Sequence, residues 1–286
     1  MTNNKKAIFY AVLAAALYAI NAPISKLLLA EIPSTMMAGL LYLGAGIGMC
    51  TLEKFNKHKE ELPLTKKELP YTAAMVILDI AAPIFLMIGL TKCSAANASL
   101  LNNFEIVATS MIALFLFRET ISKKLWLAIT LVTISSIMLS FEDMGSLQFS
   151  WGSLFVLLAC ICWGFENNCT RMFSSKNPAQ IVIIKGFGSG FGALVLSFII
   201  GEYYFHIGYI LLALLLGFVA YGLSIYFYIY AQRDLGAAKT STYYAISPFI
   251  GAALSLIIFR EQPSAIFLIA LVIMAVGTYF ASTSDN

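Results

Sequence analysis

The segment SAANASLLNNFEIVATSMIALFLFRETIS, residues Ser94–Ser122, indicates the architecture of the chain, because nearly the same segment returns later. A shift of 142 positions, from 94 to 236, gives Gly236–Ser264, GAAKTSTYYAISPFIGAALSLIIFREQPS. Both copies are apolar, end in Phe-Arg-Glu and have the length of a helix that crosses a bilayer. The first copy has a carboxyl group at its centre, Glu105, where the second has Ser247 beside Pro248. The pattern therefore predicts a repeated membrane helix with an acid in one copy.

The composition places the chain in a membrane. Hydrophobic residues make up 60% of the 286 positions and charged residues 12%, whereas a soluble domain carries roughly 25% charge. The net charge of +3 is small, so we expect no nucleic-acid partner. The five cysteines lie in or beside apolar segments. Neither histidine has the sequence spacing from a cysteine that is typical of a metal site. We therefore expect packing roles for the cysteines, and neither a metal nor a cofactor.

Ten stretches have the length and apolar character that cross a bilayer. The connections are mostly short, apart from the polar segment 53–69, so neighbouring helices should pack as antiparallel hairpins. The first stretch has no clear small-residue cleavage site after it, and we interpret it as a retained span. Numbered 1 to 10, the predicted spans are 7–29, 33–52, 70–90, 95–117, 124–141, 151–171, 179–200, 208–230, 237–259 and 264–281.

The charges in the connections predict the orientation. With the N-terminus in the cytoplasm, 14 of the 18 Lys and Arg residues fall in inside segments and three fall in outside connections. This is the bias of the positive-inside rule. Each copy of the repeat belongs to a unit of five spans, and because five is odd, the second unit enters the membrane upside down. We predict an all-α membrane protein with ten transmembrane helices as two inverted five-helix repeats, residues 1–142 and 143–286, with both termini cytoplasmic.

Glycines recur at equivalent places in the two units. Gly44 and Gly48 in span 2 correspond to Gly186 and Gly190 in span 7. Alternate glycines also occur in dinucleotide-binding turns, but here no strand precedes them. The four-residue spacing lets membrane helices approach closely, and we predict a packing role.

The ten spans, the inverted halves and the doubled Phe-Arg-Glu resemble the drug/metabolite transporter superfamily, and its EamA-like branch in particular. Tyr18 in span 1 is matched by Trp163 in span 6, as in that family. The resemblance covers essentially the whole chain and implies alternating-access carriage of small metabolites, often export, driven by proton exchange. Many members have proline in the middle of both repeated helices; here Pro248 is present, but span 4 has Glu105 instead.

Four ionisable residues lie well inside predicted spans: Asp79, Glu105, Glu166 and Lys185. A charge at the centre of a membrane helix costs about 2.5–3.5 kcal/mol on insertion scales, so these side chains must face the interior, pair or be neutral. Glu166 and Lys185 lie at similar depth in antiparallel spans 6 and 7, which predicts an ion pair. The pair is either purely structural or opens to bind a charged group of the substrate.

Asp79 and Glu105 lie near the middle of spans 3 and 4, with no basic residue at their depth in those helices. A buried carboxyl group without a partner can take up a proton from one side and release it to the other. We predict that Glu105 is the main site for a coupling proton or a substrate ammonium group, with Asp79 assisting. The competing interpretation is a protonated acid that is hydrogen-bonded to Asn102, Asn103 or Ser110.

Polar and aromatic side chains at the same depth are expected to line a cavity. Tyr221, which corresponds to Asp79 in the repeat, and Tyr244 are placed to stack on a ring or cover a cation. Prolines within spans free backbone carbonyls and permit kinks. The predicted cavity-lining residues are Asn21, Asn102, Asn103, Asn167, Tyr221, Tyr244, Ser247 and Pro248.

The leading hypothesis is a secondary transporter of small polar metabolites such as amino acids, with export favoured through the family. Its expected partners are a small-molecule substrate, protons and the lipid bilayer, in a bacterial plasma membrane; the oligomeric state stays open. An intramembrane enzyme would need a catalytic set within the membrane, whereas His58 and His206 fall in predicted loops. A sensor or scaffold that transports nothing is the other alternative, and it explains the buried acids poorly.

Overall fold

The computed structural model describes residues 3–55, 64–118, 120–143, 148–172, 176–235, 240 and 243–284. Within these residues the chain is helical, apart from a hairpin of two short antiparallel strands, β1 (Phe141–Asp143) and β2 (Gln148–Phe149). His58, Glu119 and most of the first turn of the second repeat copy lie outside the described residues.

The helices follow the predicted spans closely in order and position. A 3-10 turn, Lys66–Glu68, precedes α4, and a π-helical segment, Phe218–Leu223, joins α10 to α11. The helices are α1 (Asn3–Ala19), α2 (Asn21–Leu28), α3 (Ser34–Phe55), α4 (Leu69–Lys92), α5 (Ala95–Leu101), α6 (Phe104–Phe117), α7 (Lys123–Leu139), α8 (Trp151–Arg171), α9 (Pro178–Ile199), α10 (Ile207–Gly217), α11 (Ser224–Leu235), α12 (Ser247–Phe259) and α13 (Ala265–Ser282).

Eight helical stretches of the described chain are long and apolar enough to cross a membrane. They correspond to predicted spans 1–4, 6–8 and 10, so the chain is an all-helical membrane protein. Span 5 is represented by α7, which has 17 residues, and the described part of span 9 is mainly α12, which has 13. The full count of ten membrane helices therefore stays a prediction.

Two of the spanning stretches are broken near their middle. α1 and α2 meet at Ile20, three residues before Pro23, whose missing N–H removes a helical hydrogen bond. α5 and α6 meet at Asn102 and Asn103, where Asn103 N–H donates to the carbonyl of Leu100 at 3.1 Å and tightens the turn. Both breaks leave short half-helices that end inside the bundle.

The repeated helices end in the same way. Arg118 and Arg260, which the 142-residue shift aligns, have φ of 54° and 53° and are the non-glycine residues with positive φ in the described chain. Ser122 and Ser264, which the shift also aligns, cap the next helix by accepting a hydrogen bond from a backbone N–H three residues on. The two copies therefore share their local geometry as well as their sequence.

Helix packing positions the interior side chains. α3 packs along α9, α4 along α8, α1 along α11, and α7 along α13. Gly186 of α9 faces Gly46 of α3 so closely that a Cβ at Gly186 would lie 2.4 Å from the Gly46 Cα. A Cβ at Gly44 would lie 2.0 Å from the carbonyl oxygen of Leu214. These glycines have the packing role that their spacing predicted.

Candidate functional site

Lys185 of α9 lies between two buried carboxyl groups. Its Nζ is 2.6 Å from Oε1 of Glu166 on α8 and 3.3 Å from Oδ2 of Asp79 on α4. The side chains of Asp79 and Glu166 are 0% and 3% exposed. The Glu166–Lys185 pair agrees with the prediction. The expectation that Asp79 is buried without a basic partner is wrong, because spans 3 and 4 contain no base at its depth but α9 also packs against α4.

We call Asp79, Glu166 and Lys185 the charged triad. Each acid of the triad also accepts a hydrogen bond from a hydroxyl group. Tyr42 donates to Oδ1 of Asp79 at 2.8 Å, and Thr170 donates to Oε1 of Glu166. Oδ2 of Asp79 has no hydrogen-bond partner among the described residues, although it is at ion-pair distance from Lys185. Two carboxyl groups share one ammonium group, so the triad has an excess negative charge unless one acid is protonated.

Glu105 is separate from the triad. It is half-buried at the start of α6, and Oε1 accepts a hydrogen bond from Asn167 of α8 at 2.6 Å. The same amide nitrogen is 3.4 Å from the hydroxyl of Thr109. The competing interpretation named neighbours in the same span as partners, but the Ser110 hydroxyl donates to the carbonyl of Ile106. Glu105 therefore joins spans 4 and 6 through an amide, and among the described residues its carboxyl group belongs to no ion pair.

Two tyrosines connect the triad with the broken part of span 1. The ring of Tyr42, whose hydroxyl donates to Asp79, is centred 5.2 Å from the ring of Tyr221. The Tyr221 hydroxyl accepts from Asn21 at 3.1 Å, and Asn21 in turn accepts from Ser25 at 3.0 Å. Tyr221 lies in the π-helical segment, a feature that often marks a functional site. Polar side chains thus follow one another from the triad to the helix break.

A small pocket lies where the two helix breaks meet the start of α12. Four of the predicted cavity residues, Asn21, Asn102, Ser247 and Pro248, are part of its wall. The remaining predicted residues, Asn103, Asn167, Tyr221 and Tyr244, are not in that wall. The complete set of lining residues is Tyr18, Ala19, Asn21, Ala22, Ser99, Asn102, Ser247, Pro248 and Gly251.

Asn103 and Tyr244 have other surroundings. Asn103 Oδ1 accepts from the hydroxyl of Thr278 at 3.5 Å, on the side of α13. The Tyr244 hydroxyl lies 3.3 Å from that of Ser224, and its ring is centred 6.0 Å from the ring of Tyr18. Tyr244 therefore lies behind the pocket wall, next to Tyr18.

Tyr42 and Ser99 belong to the site but are not among the predicted site residues. Tyr42 lies in an apolar helix, where a tyrosine also serves as a packing residue, and its register with Asp79 depends on helix rotation. Ser99 gave a usable signal, because it is preserved in the repeat as Ser241. Among the described residues, no group of three or more His, Cys, Asp or Glu is arranged to hold a metal ion.

Comparison with known proteins gives three similarities. The model of the EamA-like transporter family matches the chain twice, over residues 5–141 and 150–283. A protein of Methanothermobacter thermautotrophicus described as an uncharacterized transporter is 24% identical over 282 residues, which cover 92% of this chain and 82% of that protein. One crystal structure of a protein superposes with a TM-score of 0.68 over 97% of this chain and 96% of the other, at 14% identity. At that identity the last similarity concerns the fold alone.

Proposed function

The chain belongs to the EamA-like transporter family and is a membrane transporter, and from this premise we propose that it is a secondary active exporter of small polar metabolites such as amino acids. Transport would proceed by alternating access and would be coupled to protons. The observation that carries the proposal is the charged triad, which is buried in a bundle that otherwise has the composition of a membrane interior.

An inverted repeat provides the machinery for alternating access in this proposal. The family model matches each half of the chain separately, and the Arg118 and Arg260 ends have the same unusual backbone conformation. Helix packing supports the same division. Span 3 packs against span 6 through α4 and α8, and the equivalent spans of the other half, 8 and 1, pack through α11 and α1. We infer ten membrane helices in two inverted repeats, residues 1–142 and 143–286, which rock about the site between them.

The site suits a substrate that carries both an amino and a carboxylate group. Glu105 offers a carboxylate to an ammonium group, and Lys185 offers an ammonium to a carboxylate if its pairing with Glu166 opens. Burying a pair and a lone acid in a membrane is costly, and ionisable residues within membrane helices generally mark transport pathways. A purely structural triad would gain little, since buried ion pairs contribute weakly to stability.

Proton coupling follows from the unequal numbers of acids and bases. If Asp79 takes up a proton, Lys185 stays paired with Glu166 on α8 alone; when Asp79 releases the proton, Lys185, whose Nζ is 3.3 Å from Oδ2 of Asp79, is attracted to α4 as well. The proton would in this way change whether α9 is held to α4 as well as to α8. Glu105 supplies a further carboxyl group that can be protonated near the pocket. Each proton taken up or released would in this way favour one arrangement of the two halves.

The test is flux in proteoliposomes. Purified protein is first screened for thermal stabilisation by amino acids, amines and other polar metabolites, and each stabilising compound is then measured for efflux with and without an imposed pH gradient. We expect saturable flux that the gradient accelerates. Specific binding without flux would contradict transport and indicate a sensor, and flux that ignores the gradient would contradict proton coupling.

The proposed setting is a bacterial plasma membrane with both termini in the cytoplasm, as the distribution of Lys and Arg indicates. Single cysteines introduced into a cysteine-free background at Lys176 and at Glu202 test this orientation with a membrane-impermeant thiol reagent. We expect labelling of intact cells at position 202 and not at 176. The reverse pattern would contradict the orientation.

A further inference from the structure

The pocket between the helix breaks contains three buried oxygen atoms that have no hydrogen-bond partner among the described residues. They are Ser99 Oγ, Asn102 Oδ1 and Ser247 Oγ, in residues that are 3%, 8% and 0% exposed. Six buried side-chain polar atoms of the described chain lack a partner, and half of them are these three. Leaving a buried polar group unsatisfied costs roughly 1–3 kcal/mol. Their concentration in one place therefore indicates a polar occupant.

A backbone carbonyl adds a fourth oxygen to the pocket wall. Ala19 is the last residue of α1, and the residue four positions ahead, which would donate to its carbonyl in a regular helix, is Pro23. Proline has no N–H, so that bond cannot form. A Cβ added at Gly251 would lie 3.0 Å from both the Ala19 carbonyl oxygen and Ser99 Oγ. The glycine thus leaves open a space that both oxygens face.

The size and chemistry of this space limit the occupant. The pocket has room for a body of about the size of one water molecule. A water molecule would donate to the Ala19 carbonyl oxygen and the Asn102 amide oxygen, which can only accept, and would accept from the two serine hydroxyls, which can also donate. A small cation would instead take these oxygens as ligands, so the two occupants differ in charge and in their dependence on the ion supplied. None of the described residues that line the pocket is charged, so a divalent ion, which prefers carboxylate ligands, is disfavoured.

We propose that the pocket formed by Ala19, Ser99, Asn102, Ser247 and the space beside Gly251 is a binding site for a sodium ion. Carbonyls freed at breaks in membrane helices, together with side-chain oxygens, are chemically suited to this ion. The ligands come from α1, from α5 and the break that follows it, and from α12, which belong to both halves of the chain. Sodium bound here would therefore link the halves, and its release would loosen them. Binding itself does not depend on the proposed substrate or on proton coupling.

The experiment measures ion-dependent thermal stability of the full-length protein in lipid nanodiscs. Sodium chloride replaces N-methyl-D-glucamine chloride at constant ionic strength, and methylammonium chloride is titrated in parallel. We expect a saturable rise in melting temperature with sodium alone. Ser247→Ala and Gly251→Ala, which respectively remove a ligand and fill the space, should each weaken apparent sodium affinity by about tenfold or more.

Ser136→Ala is the matched control, because its hydroxyl is also buried and unpartnered but belongs to α7, away from the pocket. This variant should keep the sodium affinity of the unaltered protein. The proposal is overturned if sodium gives no stabilisation beyond that of the bulky cation, which would leave a water molecule in the pocket. It is also overturned if Ser247→Ala binds sodium normally, or if methylammonium rather than sodium stabilises, which would assign the pocket to a substrate amine. Sodium binding without any flux would support this site while contradicting the proposed transport.

Discussion

The two halves of the chain match the same family model and differ in their charges. At the ends of the repeated helices, Arg118 and Arg260 have the same backbone conformation to within one degree in φ. In the interior the equivalent positions diverge: Asp79 corresponds to Tyr221, and Glu105 to Ser247. The scaffold positions therefore carry the symmetry of the fold, and the interior positions carry the chemistry.

This difference explains how two similar halves can form one asymmetric site. The first half supplies two acids where the second supplies two hydroxyl groups, and the second half contributes Lys185 and Glu166. The triad thus joins acids from both halves through one base. The pocket, in contrast, is lined by uncharged side chains from both halves. Substitutions that alter charge should therefore affect transport, and those that alter helix ends should affect stability only.

The largest effect is expected for Lys185→Met, which leaves Asp79 and Glu166 buried without their shared base. Removing one partner of a buried ion pair costs about 3–5 kcal/mol. We expect poor folding, measured as a lower melting temperature and reduced yield in detergent. Lys176→Met is the control, because its 3.5 Å pair with Glu68 lies near the surface and should contribute less than about 1 kcal/mol.

Adding Glu166→Gln to Lys185→Met separates structure from function. The double variant removes one acid together with the base, so stability should largely return while flux driven by a pH gradient stays at background. Recovery of gradient-driven flux would contradict the role of the triad in coupling.

Glu105→Gln tests the acid that breaks the symmetry of the repeat. The glutamine oxygen can still accept from Asn167, so the fold should be unaffected, whereas a proton can no longer be carried. We expect gradient-driven flux to fall to background with little change in melting temperature. Uptake like that of the unaltered protein, with the same pH dependence, would refute the role of Glu105.

Exchanging Glu105 and Ser247 tests whether the acid must lie in the first half of the chain. The variant Glu105→Ser with Ser247→Glu keeps the number of acids and moves one to the other copy of the repeat. Asn167 stands next to position 105 and not in the pocket wall with Ser247. The exchange should therefore leave flux as low as Glu105→Ser alone. Restored flux would show that the acid can act from either half.

The sequence was sufficient for features that depend on position along the chain. Helix order, the membrane class, the repeat and the Glu166–Lys185 pair follow from apolar length, internal identity and depth within a span. The count of ten membrane helices stays a prediction, because α12 has only 13 residues and part of span 9 lies outside the described residues.

Features that depend on helix rotation could not be predicted from the sequence. Whether Asp79 faces α9 or lipid is decided by packing of α4, and its partners Lys185 and Tyr42 come from two other helices. Glu105 likewise finds Asn167 across the α6–α8 contact and not among its neighbours in the same span. The depth of a residue within its span restricts its possible partners to one layer of the membrane, but it does not choose among the helices in that layer.

A smaller effect is expected for Tyr42→Phe, which removes the hydroxyl that donates to Asp79. A hydrogen bond to a charged group contributes about 1.5–3 kcal/mol, so its loss should change the balance between the ionised and the protonated form of Asp79. We expect active protein whose gradient-driven flux has a displaced pH profile. Tyr226→Phe is the control, since its hydroxyl lies 3.4 Å from that of Tyr230 and not beside Asp79. An unchanged profile in Tyr42→Phe would remove the tyrosine from the coupling site.

The smallest effect concerns the matched helix ends. Arg118 and Arg260 have left-handed backbone conformations, which cost a residue with a side chain roughly 1 kcal/mol relative to glycine. Arg118→Gly and Arg260→Gly should each raise the melting temperature slightly, and the corresponding alanine variants should not. Because the two positions share one geometry, the two glycine variants should give equal gains that add in the double variant, as expected for distant sites. Unequal gains would mean that one arginine side chain also makes a stabilising contact, and the symmetry of the scaffold would then fail at that end.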